Sequence, residues 1–380
     1  SFKGHNVVGE NHIGDWGTPF GMLIEHFIEC DKNNIGDIDL STFYREARYK
    51  FENIDNFALR SRKRVVKLQS RDEETIDLWQ KLVDLSLVNF NLIYQMLGVL
   101  LNDDNLAGES IYEDLLPEVV KRLESKNLIV ESEGALVVFP DGWYNRENDP
   151  LPLIIRKSDG GYNYATTDLA CIINRVESIE CNEMLYVVGA EQSQHFSMVF
   201  QVAKDAEFMD ETIKAVHVPF GLVMGSDGKK LASREGKAIT LKELLEESVL
   251  RAEKLIIEKN PSMSALERNK VSKMIGIGAI KYADLSIDRN KNYVFDWDKM
   301  LSFDGNTAPY LQYAHARICS IFRKSSVSRE STIYSEILVV NDFEKSLSKS
   351  IIRFSESIDE TINSYLSLIH ISEPTRQFRI

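Results

Sequence analysis

Apolar residues recur every three or four positions through Ser41 to Phe51, Asp55 to Ser70, Glu73 to Leu87 and Asn89 to Leu97. This spacing predicts helices over each stretch. A short helix from Phe20 to Cys30 is predicted ahead of them, behind a loop rich in Gly, Asn and His from Gly9 to Gly17. The pattern then changes. The runs Leu128 to Glu131 and Gly134 to Phe139 predict a hairpin, capped by Pro140-Asp141-Gly142. From 150 to 250 the apolar runs Leu153 to Ile155, Met184 to Val188 and Ala215 to Val218 read as strands. Helical patterns at Thr167 to Glu177 and Gln194 to Ala206 alternate with them. That alternation predicts a parallel sheet with crossover helices, an α/β fold. Residues 260–366 are helical again, with a break near Gly305 to Pro309. One or two crossovers are too few for a complete doubly wound sheet. The other half is expected upstream of Ser1, with the mainly helical 40–146 block inserted between the halves.

Length and composition narrow the class. A chain of 380 residues is expected to hold two or three domains. With 43% hydrophobic and 27% charged residues it has the balance of a soluble globular protein. No charged-then-apolar signal segment opens it. The apolar stretch from Leu82 to Leu101 is interrupted by Asp84, Asn89, Asn91 and Gln95, which favours a buried amphipathic helix over a membrane span. The four cysteines form no Cys-x-x-Cys pair, so neither a metal site nor a disulfide framework is expected. A reducing cytoplasm fits. A net charge of -13 argues against a general nucleic-acid binder but leaves room for a local basic face. Arg60, Arg62, Lys63, Arg64 and Lys67 form one such cluster, read as a solvated helix face.

Four segments could carry chemistry. Gly225-Ser226-Asp227-Gly228-Lys229-Lys230-Leu231-Ala232-Ser233-Arg234-Glu235-Gly236 follows an apolar run from Val218 to Met224. A glycine-bounded cationic loop at a strand edge suits a polyphosphate whose charge moves during reaction, although a surface hairpin reads equally well. Tyr164 and Asp168 are four apart and share one helix face. Together a phenol and a carboxylate can grip a cationic head group, or they are a core tyrosine and an early-turn acid. Val188-Gly189-Ala190-Glu191-Gln192-Ser193-Gln194-His195 is a strand end opening a helix, where α/β folds bind ligands. Gln192 and His195 can reach such a ligand; otherwise Ser193 is a helix cap beside an exposed histidine. Asn11-His12-Ile13-Gly14-Asp15-Trp16-Gly17-Thr18-Pro19-Phe20-Gly21 marks a loop that approaches a ligand, or a surface Ω-loop. Gly276-Ile277-Gly278 lacks a third glycine and lies in a helical pattern, and no Gly-x-x-x-x-Gly-Lys-[Ser/Thr] loop occurs.

In this order, from about Asn11 to about Arg323, these segments resemble arginyl-tRNA synthetases, a family of class I aminoacyl-tRNA synthetases. Lys230-Leu231-Ala232-Ser233-Arg234 is similar to the class I Lys-Met-Ser-Lys-Ser loop in the loose form this family uses. Thr307-Ala308-Pro309-Tyr310-Leu311-Gln312-Tyr313-Ala314-His315-Ala316-Arg317 resembles the entry to its helical anticodon-binding domain. The resemblance implies activation of L-arginine with ATP and Mg²⁺, then transfer of the arginyl group to tRNA(Arg), by a cytoplasmic and monomeric enzyme. It implies that Asp168, Tyr164 and Gln192 hold arginine. It places His195 near the nucleotide, and lets Gly221, Val223 and Met224 present backbone to adenine. Lys229, Lys230 and Ser233 would steady the β- and γ-phosphates. Asn11, His12 and Asp15 would belong to the loop beside the active site.

The resemblance also implies boundaries. Residues 1–39 would end the first half of a partial Rossmann-like catalytic domain. A mainly helical insertion would span 40–149, the second half 150–258, a helical connector 259–304 and part of an all-α anticodon-binding domain 305–366. Residues 367–380 do not resemble the family's helices and read as a non-native tail. Departures are visible: Pro19 stands where the family usually has glutamine, and Ala232 and Ser233 loosen the lysine loop. The His-x-Gly-His signature does not occur in the 380 residues, so this stretch alone is expected to have little or no activity. A non-catalytic synthetase-like protein that binds tRNA or arginine, and a different class I synthetase, are the alternatives.

Overall fold

The computed structural model describes residues 1–30, 40–225, 227–229, 231, 239–333 and 336–366. The chain forms two compact units. The first takes Ser1–Tyr186 and Gln192–His217; the second takes Val187–Glu191 and Val218–Ile380.

In the first unit, helix α1 (Thr18–Glu29) follows Gly17, whose φ of 114° suits only glycine, and carries Pro19 in its first turn. It is buried without interruption from Phe20 to Phe27. Helices α2 (Leu40–Asn53), α3 (Asp55–Gln69) and α4 (Glu73–Leu97) supply Phe43, Phe57, Leu68 and Leu82 to the same core. Gly21 lets α1 and α3 touch: a Cβ there would lie 2.4 Å from the Ser61 carbonyl oxygen. Helix α4 is continuous, where the spacing predicts a break between Leu87 and Asn89. Neither Gly nor Pro interrupts it, and the Asn89 side chain donates to the Leu85 carbonyl at 3.0 Å instead of breaking the turn. Asp72 caps its start through Thr75, and Gly98, at φ 65°, ends it in the left-handed conformation.

Helix α5 (Leu116–Ser125), which the apolar spacing did not single out, buries Leu116, Val119, Val120 and Leu123. The hairpin forms as expected, with β1 (Val130–Ser132) and β2 (Ala135–Val138) in register through Ser132 and Ala135. Its turn is Glu133-Gly134, both with positive φ, the geometry that matches strand twist. Strand β3 (Leu153–Arg156) corrects the expectation of a parallel strand: it pairs antiparallel with β2. The reason lies in the connection. Residues 139–152 hold no crossover helix; Tyr144 bridges Pro150 and Asn145 N–H bonds Asp149, so the chain doubles back. Helix α6 (Tyr164–Glu177), strand β4 (Glu183–Gly189), helix α7 (Ser193–Asp205) and strand β5 (Lys214–Phe220) follow in the predicted alternation, and β4 pairs with β5.

In the second unit, β6 (Val223–Met224) pairs parallel with β7 (Tyr293–Val294), after the long helices α8 (Leu241–Lys259) and α9 (Ala265–Leu285). A reciprocal Thr240–Glu243 capping box starts α8. Helix α10 (Trp297–Met300) is a single turn. Helix α11 (Ala308–Ser325) begins at the predicted break, with Thr307 as cap and Pro309 in its first turn. Helices α12 (Arg329–Thr332), α13 (Asp342–Ile352) and α14 (Phe354–Ser364) continue the helical tract. Among the described residues no helix is long and apolar enough to cross a membrane.

Of the basic cluster on α3, Arg62, Lys63 and Lys67 are exposed as expected, but Arg60 and Arg64 are not part of a solvated face. Arg60 and Arg64 reach Glu25 of α1 at 3.2 and 2.7 Å, and Arg60 also pairs with Glu29. The Glu25 side chain is only 9% exposed, so removing it leaves the enclosed Arg64 guanidinium, 12% exposed, without its carboxylate, while Arg60 keeps Glu29. Glu25→Ala is expected to destabilise the protein by about 3–5 kcal/mol, read as a lowered denaturation midpoint in urea. A loss under about 1 kcal/mol would show that water replaces the carboxylate freely.

Candidate active site

Helix α6 presents the first pair of candidate groups. Its first turn is pinned to β3: Asn163 N–H donates to the Ile155 carbonyl at 3.0 Å, and the Thr166 hydroxyl to the same oxygen at 2.5 Å. With the start of the helix fixed, Tyr164 and Asp168 take one face, as the four-residue spacing requires. Tyr164 is 61% exposed, which excludes a core role. Asp168 is largely enclosed, and its Oδ2 lies 2.6 Å from His195 Nε2. The His195 ring meets Tyr164 edge-on at 4.8 Å. Helix α7 holds that histidine in place, because the next residue, Phe196, packs among Tyr186, Phe200 and His217. Tyr164, Asp168 and His195 thus form one cluster. Gln192 takes the cap position of α7 with its side chain exposed and making no capping bond; Ser193 is the first helical residue rather than the cap.

The loop from Gly9 to Gly17 is not a free surface loop. Its backbone runs beside residues 105–109: Asn11 N–H bonds the Asn105 carbonyl at 2.7 Å, Ala107 N–H bonds the Asn11 carbonyl and Glu109 N–H bonds the Ile13 carbonyl. Tyr94 donates to the Asn11 side chain at 3.1 Å. Asp15 is 4% exposed, and its two oxygens accept from the Ser110 amide at 2.9 Å and the Ser110 hydroxyl at 2.6 Å. Its carboxylate therefore caps the short 3₁₀ turn Glu109–Leu115 and is committed to structure. Gly108 is obligatory beneath it, since a Cβ there would sit 2.4 Å from Asp15 Oδ2. His12 remains exposed beside Tyr112, with ring centres 6.3 Å apart.

Glu109 is the residue that sequence reading missed. Burial pushes its carboxyl up to about 7, and the neighbouring charges of Asp15 and Asp168 push the same way. A buried acid raised in this way beside other carboxylates is a candidate member of a functional site. Only the run Gly108-Glu109-Ser110 before an apolar turn hints at it in the sequence.

The remaining candidates lie in the second unit. Gly221 packs on the backbone: its Cβ would come 2.4 Å from the Lys291 carbonyl oxygen, and its N–H bonds the Arg289 carbonyl. Val223 and Met224 form β6, with their carbonyls accepting from Leu231 and Phe295 N–H. Lys229 follows a turn closed by the Gly225 N–H bond to its own carbonyl at 2.7 Å, and its side chain is exposed. Lys230 and Ser233 lie outside the described residues.

Comparison with known proteins gives the family. The family described as tRNA synthetases class I (R), catalytic domain, matches residues 1–297, and the DALR anticodon binding domain matches residues 311–370. The chain is 48% identical to the arginine–tRNA ligase of Thermobifida fusca over 361 residues, covering 94% of this chain and 62% of that protein. It is 43% identical to the enzyme of Klebsiella pneumoniae over 360 residues, with the same coverage. The crystal structure of arginyl-tRNA synthetase from Plasmodium falciparum superposes with a TM-score of 0.76 at 30% identity, over 94% of this chain and 59% of that one. The Thermus thermophilus arginyl-tRNA synthetase shares the fold, with a TM-score of 0.72 at 21% identity over 96% of this chain and 65% of that one. The chain thus spans about three-fifths of the length of these curated relatives. With a catalytic-domain match over most of its length and close relatives of one kind, the chain belongs to the arginyl-tRNA synthetase family of class I aminoacyl-tRNA synthetases.

Proposed function

We propose that this chain carries the arginine-binding part of an arginine–tRNA ligase. The observation that carries the reading is Asp168, bonded by His195 beside an exposed Tyr164, with the buried Glu109 carboxyl feeling its charge. His195 occupies Asp168 Oδ2, which leaves Oδ1 for one edge of a guanidinium. Glu109, whose negative charge is suppressed first by burial and then by its acidic neighbours, regains it when a cation arrives. Tyr164 supplies a directional hydroxyl on the open side.

In the whole enzyme, the arginine carboxylate attacks the α-phosphorus of ATP, pyrophosphate leaves and arginyl-adenylate forms. A ribose hydroxyl of the terminal adenosine of tRNA(Arg) then attacks the arginyl carbonyl, and AMP leaves. Mg²⁺ would accompany ATP as its counter-ion and would supply positive charge at the phosphates. Lys229, Lys230 and Ser233 follow β6 in sequence, and we assign them to the departing pyrophosphate as point charges and a hydroxyl. Positioning and charge stabilisation suffice, and no covalent intermediate with the enzyme is needed.

Two measurements test the arginine site. Asp168→Asn should weaken L-arginine binding, followed by calorimetry, by about 2–5 kcal/mol, because a guanidinium loses its charged partner. Unchanged binding would remove Asp168 from the site.

The second is a pH series. In the free protein Glu109 titrates at about 7 and binds arginine as the carboxylate, so binding below that pH must release a proton. Arginine affinity is therefore expected to rise with pH up to about 7 and then level off. Glu109→Gln should bind arginine weakly and without this slope. Fold stability runs the other way: a carboxyl raised in the folded state costs stability as pH climbs from its unfolded value to about 7, and Glu109→Gln should flatten that decline.

A further inference from the structure

Helix α6 carries a second charge on the face that bears Asp168. Arg175 lies seven residues on, two turns of helix, roughly 10 Å along the axis. Its side chain is only 12% exposed and lies over the Tyr186 ring at 4.9 Å, close to Cys171. Neither of those neighbours is an anion at neutral pH, since burial pushes both the Cys171 thiol and the Tyr186 phenol up. The carboxylate that pairs with Arg175 comes from 165 positions earlier in the chain: Glu10 Oε2 sits 2.6 Å from Arg175 Nε, and its side chain is 20% exposed.

We propose that Glu10 sets arginine affinity by neutralising Arg175, and so is a positioning residue for the arginine site rather than a catalytic one. The inference rests on Asp168 as the partner of the substrate guanidinium. A cationic substrate head entering at Asp168 would meet a second, fixed guanidinium about two helical turns away. In a poorly hydrated setting that repulsion is not screened away. Glu10 cancels it, and in doing so ties the first residues of the Gly9 to Gly17 loop to α6. His12 links the two ends of this arrangement. Although exposed at one edge, its ring is partly dehydrated, and it lies in the fields of Asp168, Arg175 and Glu10 together. It therefore reports on the balance of charge between them.

The test compares Glu10→Gln, the double variant Glu10→Gln/Arg175→Gln and the unaltered protein. Two readouts are L-arginine binding by calorimetry and His12 titration by NMR. Glu10→Gln is expected to weaken arginine binding about tenfold, because a single unneutralised charge at this range is worth that much. The His12 midpoint should move to lower pH, because a negative neighbour is lost while Arg175 stays. The double variant removes both charges and should return arginine affinity and the His12 midpoint close to their original values, even if its melting temperature stays low. A strut that mattered only for folding would leave the double variant no better than the single one. That outcome, or unchanged arginine binding in Glu10→Gln, would overturn the inference. If Glu10→Gln alone does not fold, the double variant decides: original affinity supports the inference and a tenfold loss overturns it. If the unaltered protein binds no arginine, the arginine site itself falls, and this inference with it.

Discussion

The buried carboxylate of Asp15 holds the first unit together around its candidate site. An acid at 4% exposure is tolerable only where its oxygens are satisfied, and Ser110 satisfies both with its amide and hydroxyl. That contact joins a loop at the start of the chain to residues almost a hundred positions later. The Asn11 and Ile13 backbone bonds extend the seam to either side, and the Trp79 indole closes it by donating to the Asp15 carbonyl at 2.7 Å. With the seam in place, Glu109 is carried to the neighbourhood of Asp168.

Charge inside this unit is arranged in two ways. On α1, Glu25 and Glu29 are matched by Arg60, Arg64 and Lys50, so the burial of carboxylates is compensated within the fold. Around α6 the balance is deliberately incomplete. Arg175 has Glu10, but Asp168 has only a histidine and Glu109 has no cation within bonding distance among the described residues. The surplus of negative potential lies on the face that Tyr164 opens to solvent.

Much of this was legible in the chain. The helix-period spacing located α1, α2, α3, α6 and α7 to within a few residues, because apolar burial on one face leaves a direct mark in sequence. The hairpin of β1 and β2 was visible for the same local reason, although its turn lies at Glu133-Gly134, ahead of the Pro140-Asp141-Gly142 cap expected from the sequence. Tyr164 and Asp168 were paired by helical geometry alone; that His195, read as a neighbour of the nucleotide, lies against both of them was not legible in the spacing. The strand β3 was legible as a strand but not in its direction. Direction depends on how residues 139–152 fold back, and that rests on a bridge between Tyr144 and Pro150 rather than on apolar spacing.

What the sequence by itself determined, then, were elements and faces: which segments coil, which residues share a side, where helices start and stop. Those properties come from interactions within a few positions of one another. Tertiary structure alone decided which distant charges meet. Nothing in the spacing of Glu10 and Arg175, of Asp15 and Ser110, or of Glu25 and Arg64 announces a pair. The same residue types read as a solvated face or a free loop until packing removes the water between them. Burial turns a surface charge into one that must find a partner, and burial is a property of the folded chain.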